Sequence, residues 1–278
     1  MDSSENLDFD SPPRTFLSLI QAGDPSFESA QVTRHGESRE LVATAELCAL
    51  ACTGVIRAIA FEDGAIHRPT VRAATTMLLR ALDDLDGYIL LTVAGYPLQA
   101  AGLGASLWEK AQCCVLVASD STDAGRWFAD GERAESKNAF WKTRHFEAGF
   151  TRLVTQLGWS YTYERAREDY QLLCDAKHPH PALLQRLGVT EVSDAVHMVT
   201  GPVHGQGWRA MIGAHAPVIL RTVMWAAIGF LESHREYSGP AVGSARADVD
   251  TAIRAISTFT RVWNEEFADA DVGGADRP

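Results

Sequence analysis

PVILRTVMWAAIGFL, residues 217–231, decides how the rest of this chain is to be read. The run is apolar enough to suggest a bilayer, but it is fifteen residues long and carries Arg221, whereas a spanning helix needs roughly 20 apolar residues. Taken as a helix, it is hydrophobic nearly all round, which places it at the centre of a soluble bundle rather than on a surface. The remainder of the sequence then has to supply helices that cover it.

Those helices can be read outward from the run. On its C-terminal side, Val249, Ile253, Ile256, Phe259, Trp263 and Phe267 recur every three or four residues and predict a helix from Ser244 to Phe267. On its N-terminal side the helix is expected from about Trp208 to Tyr237, with a break near Gly213 and Pro217. Leu41, Thr44, Cys48, Cys52, Val55 and Ile59 mark a helix over Glu37 to Phe61, closed by Asp63-Gly64. Pro69 suits the first turn of the next helix, which runs to about Ala94 with Leu78, Leu82, Leu85 and Ile89 on its apolar side. From Leu98 to Ala118 small residues at Ala100, Ala101, Gly102, Gly104 and Ala105 predict a helix whose first half packs closely.

Shorter elements complete the pattern. Thr15 to Ala22 reads as a short helix, Ser119 to Gly131 as a connection with one helical turn, and Ser136 as the cap of a helix to about Leu157. Tyr161 to Lys177 is an amphipathic helix stopped by Pro179 and Pro181. Val192 to Val203 alternates enough for a strand or hairpin. The expected fold is therefore all-α, a single multi-helix bundle of about seven helices, with at most one small hairpin between about Val189 and Val203. Residues 1–14 and 268–278 read as disordered tails around a helical domain at 15–267.

Composition narrows the function classes. A chain of 278 residues that is 46% hydrophobic can bury a sizeable core. The formal net charge of −11 argues against general affinity for nucleic acid, which requires a basic surface able to displace counterions. Cys48, Cys52, Cys113, Cys114 and Cys174 contain no Cys-x-x-Cys pair, so they read as small core residues rather than a disulfide framework or zinc site. The acidic N-terminus lacks an apolar signal core, and a cytoplasmic location is expected. No cofactor, metal or membrane partner is expected, and a homo-oligomer is left open.

Two polar rows stand out. Arg80, Asp84 and Tyr88 follow one another at four-residue spacing, as do Tyr170, Cys174 and His178. The segments that carry them, MLLRALDDL from Met77 to Leu85 and YQLLCDAKHPHP from Tyr170 to Pro181, resemble a family of uncharacterised all-helical bacterial proteins. That family has a Leu-Leu-Arg-x-Leu-x-Glu helix followed by a Tyr-x-x-Leu-Ser-x-x-x-His-Pro helix. Asp84 stands at the position of the family's acid and Cys174 at that of its small polar residue; no activity comes with the resemblance, which spans roughly residues 40–235.

If the two helices are neighbours, Arg80, Asp84, Tyr170, Cys174 and His178 form a polar pocket in which Asp84 holds Arg80 and Arg80 takes an anion or carboxylate. The bland alternative is a satisfied network that sets how two helices dock. Ligand or partner binding through this pocket is the expected function. The second expectation is a metal-independent hydrolase. Arg209 and His215 have the spacing of the Arg-His pair in HEPN-type ribonucleases, although Ala210 stands where a polar residue commonly follows the Arg. Cys174 and His178 are one turn apart, as a thiol nucleophile and its base would be, but mid-helix placement gives the thiol no helix N-terminus to activate it. Asp83, Asp84 and Asp86 lack the Asp-Asp-x-x-Asp spacing of all-α prenyl-transferring enzymes, and His178, His180, His197, His204 and His215 lack metal-ligand spacing.

Overall fold

The computed structural model describes residues 32–62, 64–132, 146–157, 162–177, 189–192, 195–198 and 206–268. Among these, eight α-helices follow in order: α1 Arg39–Ala60, α2 Pro69–Val93, α3 Pro97–Ser119, α4 Ser121–Glu132, α5 Phe146–Leu157, α6 Tyr163–Lys177, α7 Gln206–Ser233 and α8 Pro240–Ala268. Between α6 and α7 lies a two-stranded antiparallel hairpin, β1 Val189–Val192 and β2 Ala195–Met198, with Val189 opposite Met198. The fold is the all-α bundle with one small hairpin that the periodicities predict. The helix expected at Thr15 to Ala22, the Ser136 cap, the tail at 1–14 and residues 269–278 of the other tail lie outside the described residues, while Ala268, the first residue of that tail, ends α8.

Helices α3 and α7 form the axis. Helix α3 packs against α2, α6 and α7, while α7 also packs against α1 and α8, and α8 closes over α1. Their sequences suit this position: on α7, Ala216, Val218, Ile219, Leu220, Val223, Met224, Trp225, Ala226 and Ala227 are all buried. The stripes predicted on α1 and α8 face this core, with Leu41, Cys48, Cys52, Val55 and Ile59 fully covered. Trp208 anchors the start of α7 by donating its indole N–H to the Thr92 carbonyl at 2.8 Å.

Small residues set the closest crossings. A Cβ built on Gly104 would stand 2.6 Å from Ile219 Cδ1 and 3.3 Å from Leu173 Cδ2, so α3 touches α7 and α6 where the sequence places its run of small residues. Gly213 plays the same part between α7 and α8, because a Cβ there would lie 3.0 Å from the Trp263 ring.

Two expectations need correction. Helix α7 does not break at Gly213 or Pro217 but continues through both. An interior proline costs a helix roughly 3 kcal/mol, a cost offset here because the residues on either side of Pro217 are buried in the core. The fifteen-residue run therefore belongs to a 28-residue helix. By length and composition alone, α1 and the Trp208–Ser233 part of α7 are long and apolar enough to cross a bilayer; 78% of the latter's most apolar window is buried inside the bundle, as a core helix would be. Ser119 to Gly131 is mostly helix α4, not a connection. Asp120 leaves α3 in an extended conformation and its Oδ1 accepts the amide hydrogens of Thr122 at 2.7 Å and Asp123 at 3.3 Å, which restarts the helix.

All five cysteines are free, and Cys48, Cys52, Cys113 and Cys114 are buried. Burial pushes the Cys48 thiol up to about 12 and raises the other three as well, so they are inert thiols of the core.

Candidate functional site

Among the described residues, no hydrogen bond or ion pair joins the row of Arg80, Asp84 and Tyr88 to Tyr170 or Cys174. Helix α3 packs against both the helix of Arg80 and the helix of Tyr170, and each row finds its partners there or on itself. Arg80 is exposed and pairs with Asp83 at 3.1 Å, one turn away on its own helix, rather than with Asp84. Asp84 is turned inward between Ala81 and Leu85, where Lys110 Nζ of α3 reaches it at 2.5 Å. Tyr88 is buried in the core, which raises its phenol pKa. The expectation that Asp84 holds Arg80 is thus corrected: the helix presents Arg80 and Asp83 to water and Asp84 to α3.

On the other side, the Tyr170 hydroxyl donates to Glu109 Oε1 at 2.5 Å, and its ring stacks on Trp108 with centroids 4.4 Å apart. Burial first, then Cys174 and Glu109 beside it, raise the Tyr170 pKa, so the phenol stays protonated as a donor. Cys174 is half-buried next to it. His178, His180 and His204 lie outside the described residues, as does the His197 side chain. The network therefore joins Asp84 to Lys110 and Tyr170 to Glu109 through successive residues of one helix. Its groups are paired with one another, which is how helices are docked rather than how a ligand is held.

The second pair fares differently. Arg209 is held by both carboxylate oxygens of Glu37, and this partner raises its pKa. His215 is buried, and burial pulls its pKa down to about 4. An RNA-cleaving Arg-His pair needs an accessible histidine that exchanges a proton near neutral pH; His215 is covered and neutral there. Among the described residues no three His, Cys, Asp or Glu side chains come together as metal ligands.

What the sequence did not single out is a cavity of about 650 Å³ between α3, α5, α6, α7 and α8. Its walls are Trp108 and Gln112 of α3, Phe150 of α5, Ala166 of α6, Met224, Trp225 and Ile228 of α7, and Ile253 and Ile256 of α8. Trp108 stacks on Tyr170 and Trp225 on Phe150, each pair with centroids 4.4 Å apart, so the aromatic walls are braced by neighbouring rings. Arg165, Arg221, Arg261 and Ser257 also line it and are exposed, which puts the charge at the rim and the apolar surface at the floor. The signals for this site were Arg221, the one charge in the apolar run of α7, and the Trp108 and Trp225 rings four residues before Gln112 and four after Arg221. Nothing in one-dimensional spacing shows that these positions share a cavity.

Fold and cavity together define a class: an all-helical bundle with an amphipathic interior pocket. No family model, curated protein or solved structure matches this chain.

Proposed function

We propose that this protein binds a small amphipathic molecule in the cavity between α3 and α8. The observation that carries this reading is the cavity itself. Its size lies in the range of small-molecule sites, which run from about 300 to 1,000 Å³ and combine apolar walls with a few polar groups. The pocket of about 650 Å³ opens to solvent past Arg165, Arg221 and Arg261 and has an apolar floor that includes Trp108, Phe150 and Trp225. The polar rows of α2 and α6 support it indirectly: the Tyr170 to Glu109 bond fixes Trp108, which forms one wall.

Binding of neutral n-alkanols from octanol to dodecanol tests the reading without involving any head-group charge. Each buried methylene contributes about 0.8 kcal/mol, so affinity measured by calorimetry should rise roughly fourfold per carbon until the cavity is full. Ile256→Trp, which projects a ring into the empty space, should abolish binding while leaving the helical circular dichroism spectrum intact. Affinity that is flat with chain length, or indifferent to Ile256→Trp, would place any binding elsewhere and remove the proposal.

A further inference from the structure

The rim chemistry goes further than a hydrophobic pocket, and rests on the reading that the cavity is the ligand site. Three arginines line it, and none of its described lining residues is acidic, although the whole chain carries a formal charge of −11. Two of the three are engaged along their own helices. Arg165 pairs with Glu168 at 3.1 Å and Asp169 at 3.6 Å, and Arg261 with Glu265 at 3.0 Å. Arg221 has neither an ion pair nor a hydrogen bond among the described residues.

A second group points the same way. Gln112 is 4% exposed and lines the cavity, yet its amide has no hydrogen-bond partner among the described residues. That amide is not sealed in the core but reaches the open volume of the cavity, where an atom of a bound molecule can meet it. An unpaired guanidinium at the mouth and an unpaired amide in the wall are complementary to one kind of molecule.

We infer that the ligand is an organic anion: its carboxylate is taken by Arg221 at the rim, its apolar body lies against Trp108 and Trp225, and a hydrogen-bonding group on that body meets Gln112. Guanidinium suits a carboxylate because its planar fork offers two parallel N–H donors to two oxygens. The permanent positive charge at the rim also discriminates against cationic amphiphiles of the same length.

Dodecanoate below its micellar concentration and dodecanol below its solubility limit, both at neutral pH, separate this inference from the reading beneath it. Wild-type protein should bind dodecanoate more tightly than dodecanol by calorimetry. Arg221→Gln should weaken dodecanoate about tenfold and leave dodecanol within about twofold, erasing the preference. Arg57→Gln, an exposed arginine on α1 away from the cavity, should change neither. Gln112→Leu should tighten dodecanoate several-fold, because a plain alkyl chain cannot satisfy the amide. If both amphiphiles bind equally well, or Arg221→Gln weakens them alike, the anion inference is overturned while the cavity reading stands. If Gln112→Leu weakens dodecanoate, the amide does not face the ligand body and that part is overturned. If neither amphiphile binds, the cavity reading fails and the inference with it.

Discussion

Asp84 and Arg80 show how one residue's environment is decided by rotation about a helix rather than by spacing. Both belong to α2 and are four apart, yet Asp84 is buried and meets Lys110, while Arg80 stays in water with Asp83. The difference should be measurable. In double-mutant cycles by urea denaturation, alanine replacements at Asp84 and Lys110 should couple by about 1 kcal/mol or more, as charged hydrogen bonds shielded from solvent do. Replacements at Arg80 and Asp83 should couple by at most about 0.5 kcal/mol, because exposed pairs three apart are screened. Equal coupling in the two cycles would mean that Asp84 is not turned inward. The sequence set Asp84 apart within its DDLD cluster by its four-residue spacing from Arg80 and Tyr88, but it read that row as one polar face and so did not show that the Asp84 carboxylate turns to Lys110.

Glycine has two opposite meanings among these helices, and element contacts tell them apart. Gly104 lies where α3 crosses α6 and α7, with Ile219 and Leu173 in the way of any Cβ; Gly125 lies mid-helix in α4 with nothing within 4 Å. Gly125→Ala should stabilise the protein by about 0.5–1 kcal/mol, since alanine recovers helix propensity without a clash. Gly104→Ala gains the same propensity but overpacks a buried crossing, which costs about 1–3 kcal/mol. Its midpoint in urea should fall, and a rise would show that α3 does not approach α7 so closely. The sequence predicted the close packing at Gly104 from a run of small residues. It missed α4 because Gly125 and a polar first turn weaken the helical pattern, and the Asp120 cap that offsets them lies at the end of the preceding helix.

At the scale of the whole molecule, buried histidines set the acid limb of stability. Burial lowers the His215 pKa from an ordinary 6.5 to about 4, and lowers His234 as well, against the Phe230 carbonyl that its ring contacts at 3.0 Å. Between these values the unfolded chain takes up a proton at position 215 that the native protein refuses. Stability should therefore fall as pH drops from about 6.5 toward 4, by up to about 1.4 kcal/mol per pH unit for one such group. His215→Gln should flatten that slope whatever it does to stability at neutral pH, and His234→Gln should flatten it further. An unchanged slope in both variants would mean that these rings are protonated in the folded state.

The amino-acid sequence by itself determined the helices, their apolar faces and the central place of Pro217 to Leu231, because a period of 3.6 residues writes burial directly into composition. It also marked Arg221 as the exception in that run. It did not determine which faces would meet, because a polar row at four-residue spacing has the same pattern whether it lines a site or pairs across an interface. Tertiary packing placed α3 between the two rows and paired Asp84 with Lys110 and Tyr170 with Glu109. It also held Pro217 inside a continuous helix, and it left an unfilled cavity under Arg221. A cavity is a shortfall of volume among five helices at once, so no single stretch of the chain records it.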